Sequence, residues 1–273
     1  PNVSFSGAFT LKINNTAAAV NQTFSVGGTT VLLDLPAGPY LRIEGTGTQP
    51  GTAMQLSIMG QSLEGNFAIE QFTKPGGTPV VRIAASAVTL SLSGGVVTVS
   101  NGSGFFVMGQ GGMAGTITAS IGINAGADVS FNGSFTLEIN NLATALNEQM
   151  VVGASTVSLN LPAGPYLRVS GTGVQLTVAG QSLSGNFAFE QITKPDGTKV
   201  MRVAASDVSI SLGDGANTVL SITEGSGFFV MTSKGIAGSI KGTVAMNLPG
   251  ASLSGTLEVK INNTRTVVTP PTG

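Results

Sequence analysis

The sequence predicts an all-β fold of tandem modules, with long antiparallel strands arranged as a two-layer sandwich or rolled sheet. Three observations carry this. Apolar and polar residues alternate in short runs, as half-buried strands do. Turn residues punctuate those runs about every 10 to 20 positions. One unit of about 125 residues is written twice, nearly unchanged.

The duplication is read most directly from matched phrases. "VSFSGAFTLKINN" begins at Val3 and returns as "VSFNGSFTLEINN" at Val129, a shift of 126. "PAGPYLRIEGTG" at Pro36 returns at Pro162 with the same shift. The shift falls to 120 at "GQSLEGNFAIEQFTKP", from Gly60 and Gly180, because "TQPGTA" (Thr48 to Ala53) has no counterpart. It is 123 at "SGFFVM", from Ser103 and Ser226. The phrase "ASLSGTLEVKINN" at Ala251 then opens a third copy. The frame is therefore 1–127, 128–250 and a start at 251–273 that includes a Pro-containing tail, with a circularly permuted frame left open. A chain that begins at Pro1 and ends in "TVVTPPTG" reads as a segment of something longer.

Strand direction follows from "FAFEQITKPDGTKVMRVA". Pro195 presets one turn dihedral, Asp196 favours the next position, and Gly197 supplies a positive φ, which closes a three-residue hairpin loop. With Lys194 and Thr198 as the closing pair, Ile192 faces Val200, Phe189 faces Val203, and Glu190 meets Arg202. The first copy gives Glu70 opposite Arg82. A hairpin is an antiparallel unit; a parallel β-solenoid is the alternative architecture. "NNTAAAVNQ" from Asn14 and "NNLATALNEQ" from Asn140 are each expected to form a brief helical turn.

Glycines sit within the apolar series: Gly7, Gly133 and Gly255 in the opening phrase, Gly65 and Gly185 in "GNF". A strand glycine costs roughly 0.5–1 kcal/mol relative to alanine, so its recurrence implies a geometric return. Either a second layer passes close to these positions or the strand bends there. These glycines are accordingly expected to point inward. A phase slip in "VMRVAASDVSISL" favours bending.

Composition limits the function. Charged residues are 9% of the chain, against roughly 25% in average domains. The 12 Lys and Arg against 13 Asp and Glu form no basic run, so nucleic acid is not expected as a partner. The chain has no Cys and no His, which removes thiolate chemistry, the commonest general base and the usual zinc ligands. No apolar run reaches the roughly 20 residues of a membrane helix, and two Tyr without Trp are too few for the aromatic girdles of a membrane barrel. No catalytic, cofactor or metal residues are expected, and the chain is not expected to be an enzyme. Glu70 and Glu190 read as structural partners of Arg82 and Arg202. "GQGGMAG" from Gly109 reads as a turn and lacks the Lys of a phosphate loop. "GDGANTVLS" from Gly213 lacks the repetition of a calcium array.

"PAGPYLR" holds both tyrosines, each followed by an arginine. The favoured reading is a rigid loop leading into a strand, whose Tyr closes the end of the core; the alternative makes Tyr40, Arg42, Tyr166 and Arg168 candidate ligand contacts, for a glycan or a surface protein.

Near-identical tandem units that are rich in Gly, Ser, Thr and Asn, low in charge and free of Cys resemble the repeat regions of very large bacterial surface or secreted proteins of the giant-adhesin kind. That resemblance implies an extracellular or cell-surface location and a spacer role. The expected function is a structural repeat in a stalk, fibre or matrix filament that stacks end to end with neighbouring copies of the same repeat. A glycan- or protein-binding module and a lipid-holding β groove are the alternatives.

Overall fold

The structure, a computed structural model, describes residues 3–47, 53–58, 61–74, 76–92, 95–124, 129–193, 197–213, 217–232 and 234–264. Alternation becomes strand almost throughout, and the described residues contain no α-helix. In the first copy the strands are β1 (Val3–Ser6), β2 (Ala8–Asn14), β3 (Val20–Val26), β4 (Thr29–Leu35) and β5 (Tyr40–Thr46). They are followed by β6 (Met54–Ile58), β7 (Gln61–Thr73), β8 (Pro79–Leu92), β9 (Val97–Gly109) and β10 (Gly112–Asn124). The second copy gives β11 (Val129–Asn140), β12 (Leu146–Val152), β13 (Ser155–Leu161) and β14 (Tyr166–Val178). It continues with β15 (Gln181–Thr193), β16 (Lys199–Gly213), β17 (Thr218–Thr232) and β18 (Gly235–Leu248). The third copy contributes β19 (Ala251–Asn262).

Fifteen of these strands hydrogen-bond as one sheet, while β3–β4 and β12–β13 are separate two-stranded hairpins. The pairings β1–β6, β2–β5, β3–β4, β5–β7, β6–β7, β12–β13 and every successive pair from β14 to β19 are antiparallel, so the solenoid alternative gives way to hairpin pairing. The chain divides into two compact units that cut across the sequence repeats. Unit 1 holds Pro1–Leu90, Asn101–Ile117 and Asn140–Ala163; unit 2 holds Ser91–Ser100, Thr118–Ile139 and Gly164–Gly273.

The predicted registers appear in unit 2, where Phe189 pairs with Val203, Glu190 with Arg202 and Ile192 with Val200. In unit 1 the Lys74 N–H donates to Thr78 across the corresponding loop at 2.9 Å. Lys194, Pro195, Asp196 and the segment 214–216 lie outside the described residues, as do Thr48–Thr52 of the inserted stretch, Gly60, the 127/128 boundary and the tail from 265. The insertion has a visible effect on its flanks. The first copy carries separate strands β5 and β6 where the second has the continuous β14, and its opening strand is likewise broken at Gly7 into β1 and β2.

Bends are located by irregular register. Shifts fall between Gly171 and Val174, Ser184 and Asn186, Ala205 and Val208, and Thr223 and Ser226, on four neighbouring strands of unit 2. Such bulges add an unpaired residue and turn the strand. Asp207 and Glu224 sit there at φ 52° and 54°, and Ala87 and Asn101 repeat the pattern in unit 1 at 52° and 53°.

Four of the five flagged glycines mark close approaches. A Cβ on Gly7 would lie 2.7 Å from Met54 Cγ, one on Gly65 3.0 Å from the Phe67 ring, and those on Gly133 and Gly185 3.1 Å from Val174 Cα and Val208 Cα. Gly255 departs from the expectation, since a Cβ there meets nothing within 4 Å. The other close approaches come from the same sheet, whereas β19 is its last strand and pairs with β18 alone, without a register shift; the apolar face of the sheet is also open. In unit 1 the row Leu11–Ile43–Ile69 crosses three strands with all three residues exposed. In unit 2 the row Val169–Phe189–Val203–Phe229–Gly238–Ile261 crosses six. The second layer of unit 1 lies on the opposite face of the sheet, the side of Ala68, Ala84 and Glu70.

The two expected helical turns are corners. Asn140 Nδ2 donates to the carbonyls of Thr144 (3.0 Å) and Pro162 (2.6 Å), while its Oδ1 accepts from Leu142 N (2.8 Å). Asn14 does the same with Ala18, Pro36 and Thr16. A side chain that satisfies three backbone groups holds a non-helical loop, which competes successfully with a short helix. Asn262 accepts from the Thr264 N–H and hydroxyl, the same arrangement as Asn14 with Thr16.

Candidate docking site on the sheet face

The site is built by β12 and β13, which close a hairpin at Gly153 (φ 61°). Alternation sends Glu148, Met150 and Val152 of β12 and Val157, Leu159 and Leu161 of β13 to one side. In unit 1 that side lies on the sheet of the first copy. Val152 and Leu159 are 0% exposed, and Met150, Val157 and Leu161 are also buried. Beneath them lie Ala68, Ala84 and Phe105, small and large side chains at most 1% exposed. Full burial of one such apolar side chain is worth roughly 1.5–3 kcal/mol, so this layer is the main core of unit 1.

Polar contacts fix the hairpin in register. The hydroxyl of Ser86 donates to the Val152 carbonyl at 3.0 Å, and Arg42 Nη2 donates to the Val151 carbonyl at 2.6 Å. The Gly153 N–H donates to Glu44 Oε1 at 2.9 Å. Glu148 takes a charge-assisted bond from Arg82 and lies 3.6 Å from Lys74 Nζ. Arg82 is held in turn by Glu70 at 3.4 Å and stacks over Phe72 with its carbon 4.4 Å from the ring centroid. Glu70 also faces Arg42 at 3.7 Å. The predicted Glu70–Arg82 pair is thus part of a network that continues into the hairpin.

Tyr40 belongs to the floor of this layer, and Tyr166 holds the matching position in unit 2. Tyr40 is 7% exposed and Tyr166 8%, which agrees with the rigid-loop reading, and the contact-loop alternative is corrected because "PAGPYLR" does not present its rings to a ligand. Alternation turns each ring into the sheet face, where its hydroxyl donates to a carboxylate: Tyr40 to Glu70 at 3.0 Å, Tyr166 to Glu138 at 3.4 Å. Burial, and then the neighbouring carboxylate charge, pushes both phenols up to about 12. Arg42 pairs with Glu44 at 3.0 Å, Arg168 lies 3.9 Å from Glu138, and Glu190 pairs with Arg202.

Both halves of the arrangement recur without their counterpart. Unit 2 repeats the floor: Arg168, Ser170, Asn186, Ala188, Ala204 and Ser206 stand where unit 1 has Arg42, Glu44, Asn66, Ala68, Ala84 and Ser86. These six line an open pocket of about 270 Å³. Ala188 and Ala204 are half-buried and Ser206 is exposed. The β3–β4 hairpin repeats the roof with Phe24, Val26, Val31 and Leu33 in place of Met150, Val152, Val157 and Leu159. Val26 is 56% exposed and Leu33 42%.

Sequence reasoning did not single out either hairpin as a docking element. The signal was present in the alternation of "NEQMVVGASTVSLNL", whose apolar side is continuous, but nothing local says which sheet it covers. Among the described residues no group of His, Cys, Asp and Glu could hold a metal ion, and no helix is long and apolar enough to cross a membrane. No protein-family profile, curated protein or solved structure matches the chain.

Proposed function

We propose that the chain is a structural repeat array, part of an extracellular stalk, fibre or matrix filament in which each repeat clamps the one before it. One observation carries this reading: the β12–β13 hairpin of the second copy forms the second layer over the sheet of the first, with Val152 and Leu159 fully buried. A repeat whose core is completed by its successor propagates without closing, since donor and acceptor surfaces differ. Low charge supports it further, because little repulsion opposes close packing of like units. The test is electron microscopy of arrays with two, four and six copies. Rods that lengthen by a constant step per copy support the spacer; beads on a slack string count against it.

A second reading, a surface that holds lipid, is favoured by the open apolar rows Leu11–Ile43–Ile69 and Val169 to Ile261, since exposed apolar patches of this kind usually receive something. Mass spectrometry of organic extracts of the purified chain separates the two: a stoichiometric lipid supports the groove, and a lipid-free chain supports the spacer.

A further inference from the structure

We infer that two copies of this chain pack face to face through the open apolar side of the unit 2 sheet, each copy supplying one layer of a β-sandwich. The contact lies opposite the hairpin floor and is independent of the end-to-end clamp. It joins arrays side by side.

Register and alternation compose this face. The row from Val169 to Ile261 holds only apolar residues and glycine, as does the next row, Gly171–Phe187–Ala205–Gly227–Ile240–Val259, and a further one from Leu176 to Gly255. The row from Leu167 to Ile236 adds one Gln and no charge. The charged row Arg168–Glu190–Arg202 points to the other side, since successive residues alternate between faces. A face without charge can meet its own copy and leave no ion unpaired. A two-fold axis then closes the pair with one surface.

Area favours the same partner. β11 and β14 to β19 are seven adjacent strands. At about 4.8 Å between strands, three alternate positions about 6.8 Å apart give a face on the order of 700 Å². Such a patch exceeds the roughly 300–600 Å² of ordinary monomers, and two of them bury on the order of 1,400 Å², inside the roughly 1,200–2,000 Å² of stable specific interfaces. The surface is also level. A Cβ on Gly171 would lie 3.0 Å from Phe135 Cε1, one on Gly185 3.3 Å from Phe187 Cζ and one on Gly238 2.6 Å from Phe229 Cδ1. These rings therefore lie along the sheet and fill the places where a side chain is missing. A level face touches an acyl chain on one side only, while a second sheet at the usual spacing of about 10 Å gives whole rows a partner.

The openness does not come from the ends of the sequence. Leu11, Ile43 and Ile69 of the first copy match Leu137, Val169 and Phe189 of the second, and all six are between 38% and 61% exposed. The first copy has its successor in the chain and the second has its predecessor, so an adjoining copy is not the cover. The successor's hairpin takes the opposite face.

Sedimentation of the full chain over roughly 1–200 μM brackets the micromolar affinity expected of an interface near the lower end of this size range. The expected result is a dimer whose dissociation constant rises at least about tenfold in Phe189→Glu and in Val169→Glu, each of which sets a charge in the middle of the face. Ser254→Glu, at an exposed position on the other side of β19, should leave it unchanged. Circular dichroism of the variants checks that the strands persist. Met201, 41% exposed on the same face, gives a readout without substitution: its oxidation by hydrogen peroxide, followed by peptide mass spectrometry, should slow severalfold in concentrated solution. A monomer throughout the range overturns the pairing, and if that monomer carries stoichiometric lipid in its organic extract, the face belongs to lipid instead. A dimer that withstands both glutamates and leaves Met201 equally reactive also overturns it, because it is built elsewhere. The constant step of rods in electron microscopy is untouched by either result, so the clamp is judged separately.

Discussion

The hairpins β3–β4 and β12–β13 share one register and one apolar pattern in opposite circumstances. Both alternate, both turn on a positive-φ glycine, and both leave a corner held by an asparagine. One has a sheet beneath it and buries Leu159 completely; the other leaves Leu33 42% exposed. The contrast teaches that in this chain a residue's energetic weight is set by its copy, and that identical patterns report identical geometry without reporting burial.

The largest expected effect exploits this difference. Leu159→Ala should lower the unfolding free energy of unit 1 by about 2–5 kcal/mol, the cost of a core cavity. Leu33→Ala, at a concentration where the chain is monomeric, should change it by less than about 0.5 kcal/mol. Chemical denaturation of the two variants checks this, and equal losses would show that the hairpins are equivalently packed. A smaller contrast concerns charge. Glu148→Gln weakens the bond to Arg82 and should cost roughly 1–2 kcal/mol, as expected for a hydrogen bond to a charged group. Gln22→Ala in the monomer should cost almost nothing. Protection of the β12 amides against hydrogen exchange should fall with Glu148→Gln, and that of the β3 amides should not change with Gln22→Ala.

The smallest effect sharpens the comparison between floors. Both phenols lie near 12 in the folded chain, above the ordinary value of about 10. The folded state thus holds its protons longer than the unfolded one, so this contribution is complete below pH 10 and lost as pH rises toward 12. With two Tyr and no Trp, absorbance at 295 nm follows both rings directly. The expected curve is a single step near pH 12, despite the open floor around Tyr166. A step near pH 10 for one ring would mean that the hairpin roof, not the sheet, buries Tyr40.

Much of the fold was legible because strand physics is local. Alternation, the Pro-Gly turn and the opposite charges of Glu190 and Arg202 fixed direction and register, and the phase slip at "AASDV" marked the bulge at Asp207. The corners were misread because Ala-rich "TAAAV" favours helix by propensity, while Asn14 and Asn140 satisfy the backbone another way. Inward glycine was half legible. Gly133 and Gly185 do meet neighbouring strands, but Gly255 faces open space on β19, and alternation cannot say which strand ends the sheet. The docking site was the least legible part: Glu148 and Arg82 are 66 residues apart, and their meeting depends on a hairpin crossing from one copy to another. Tyr40 and Tyr166 invited a surface reading because they follow a Pro-Gly loop, yet the strand that begins at each tyrosine turns its first side chain under cover.

The broken strands of the first copy have a further consequence. Duplicated segments this similar are prone to trade places while the polypeptide is being synthesised, and such exchanges trap repeat proteins in misassembled forms. Here β1 and β2, interrupted at Gly7, meet the separate β6 and β5, whereas β11 and β14 are uninterrupted. An exchanged pairing would set a continuous partner against a divided one and strand several amides without acceptors. A six-residue insertion at Thr48 to Ala53 thereby gives otherwise interchangeable halves separate identities, which would help each to find its own mate.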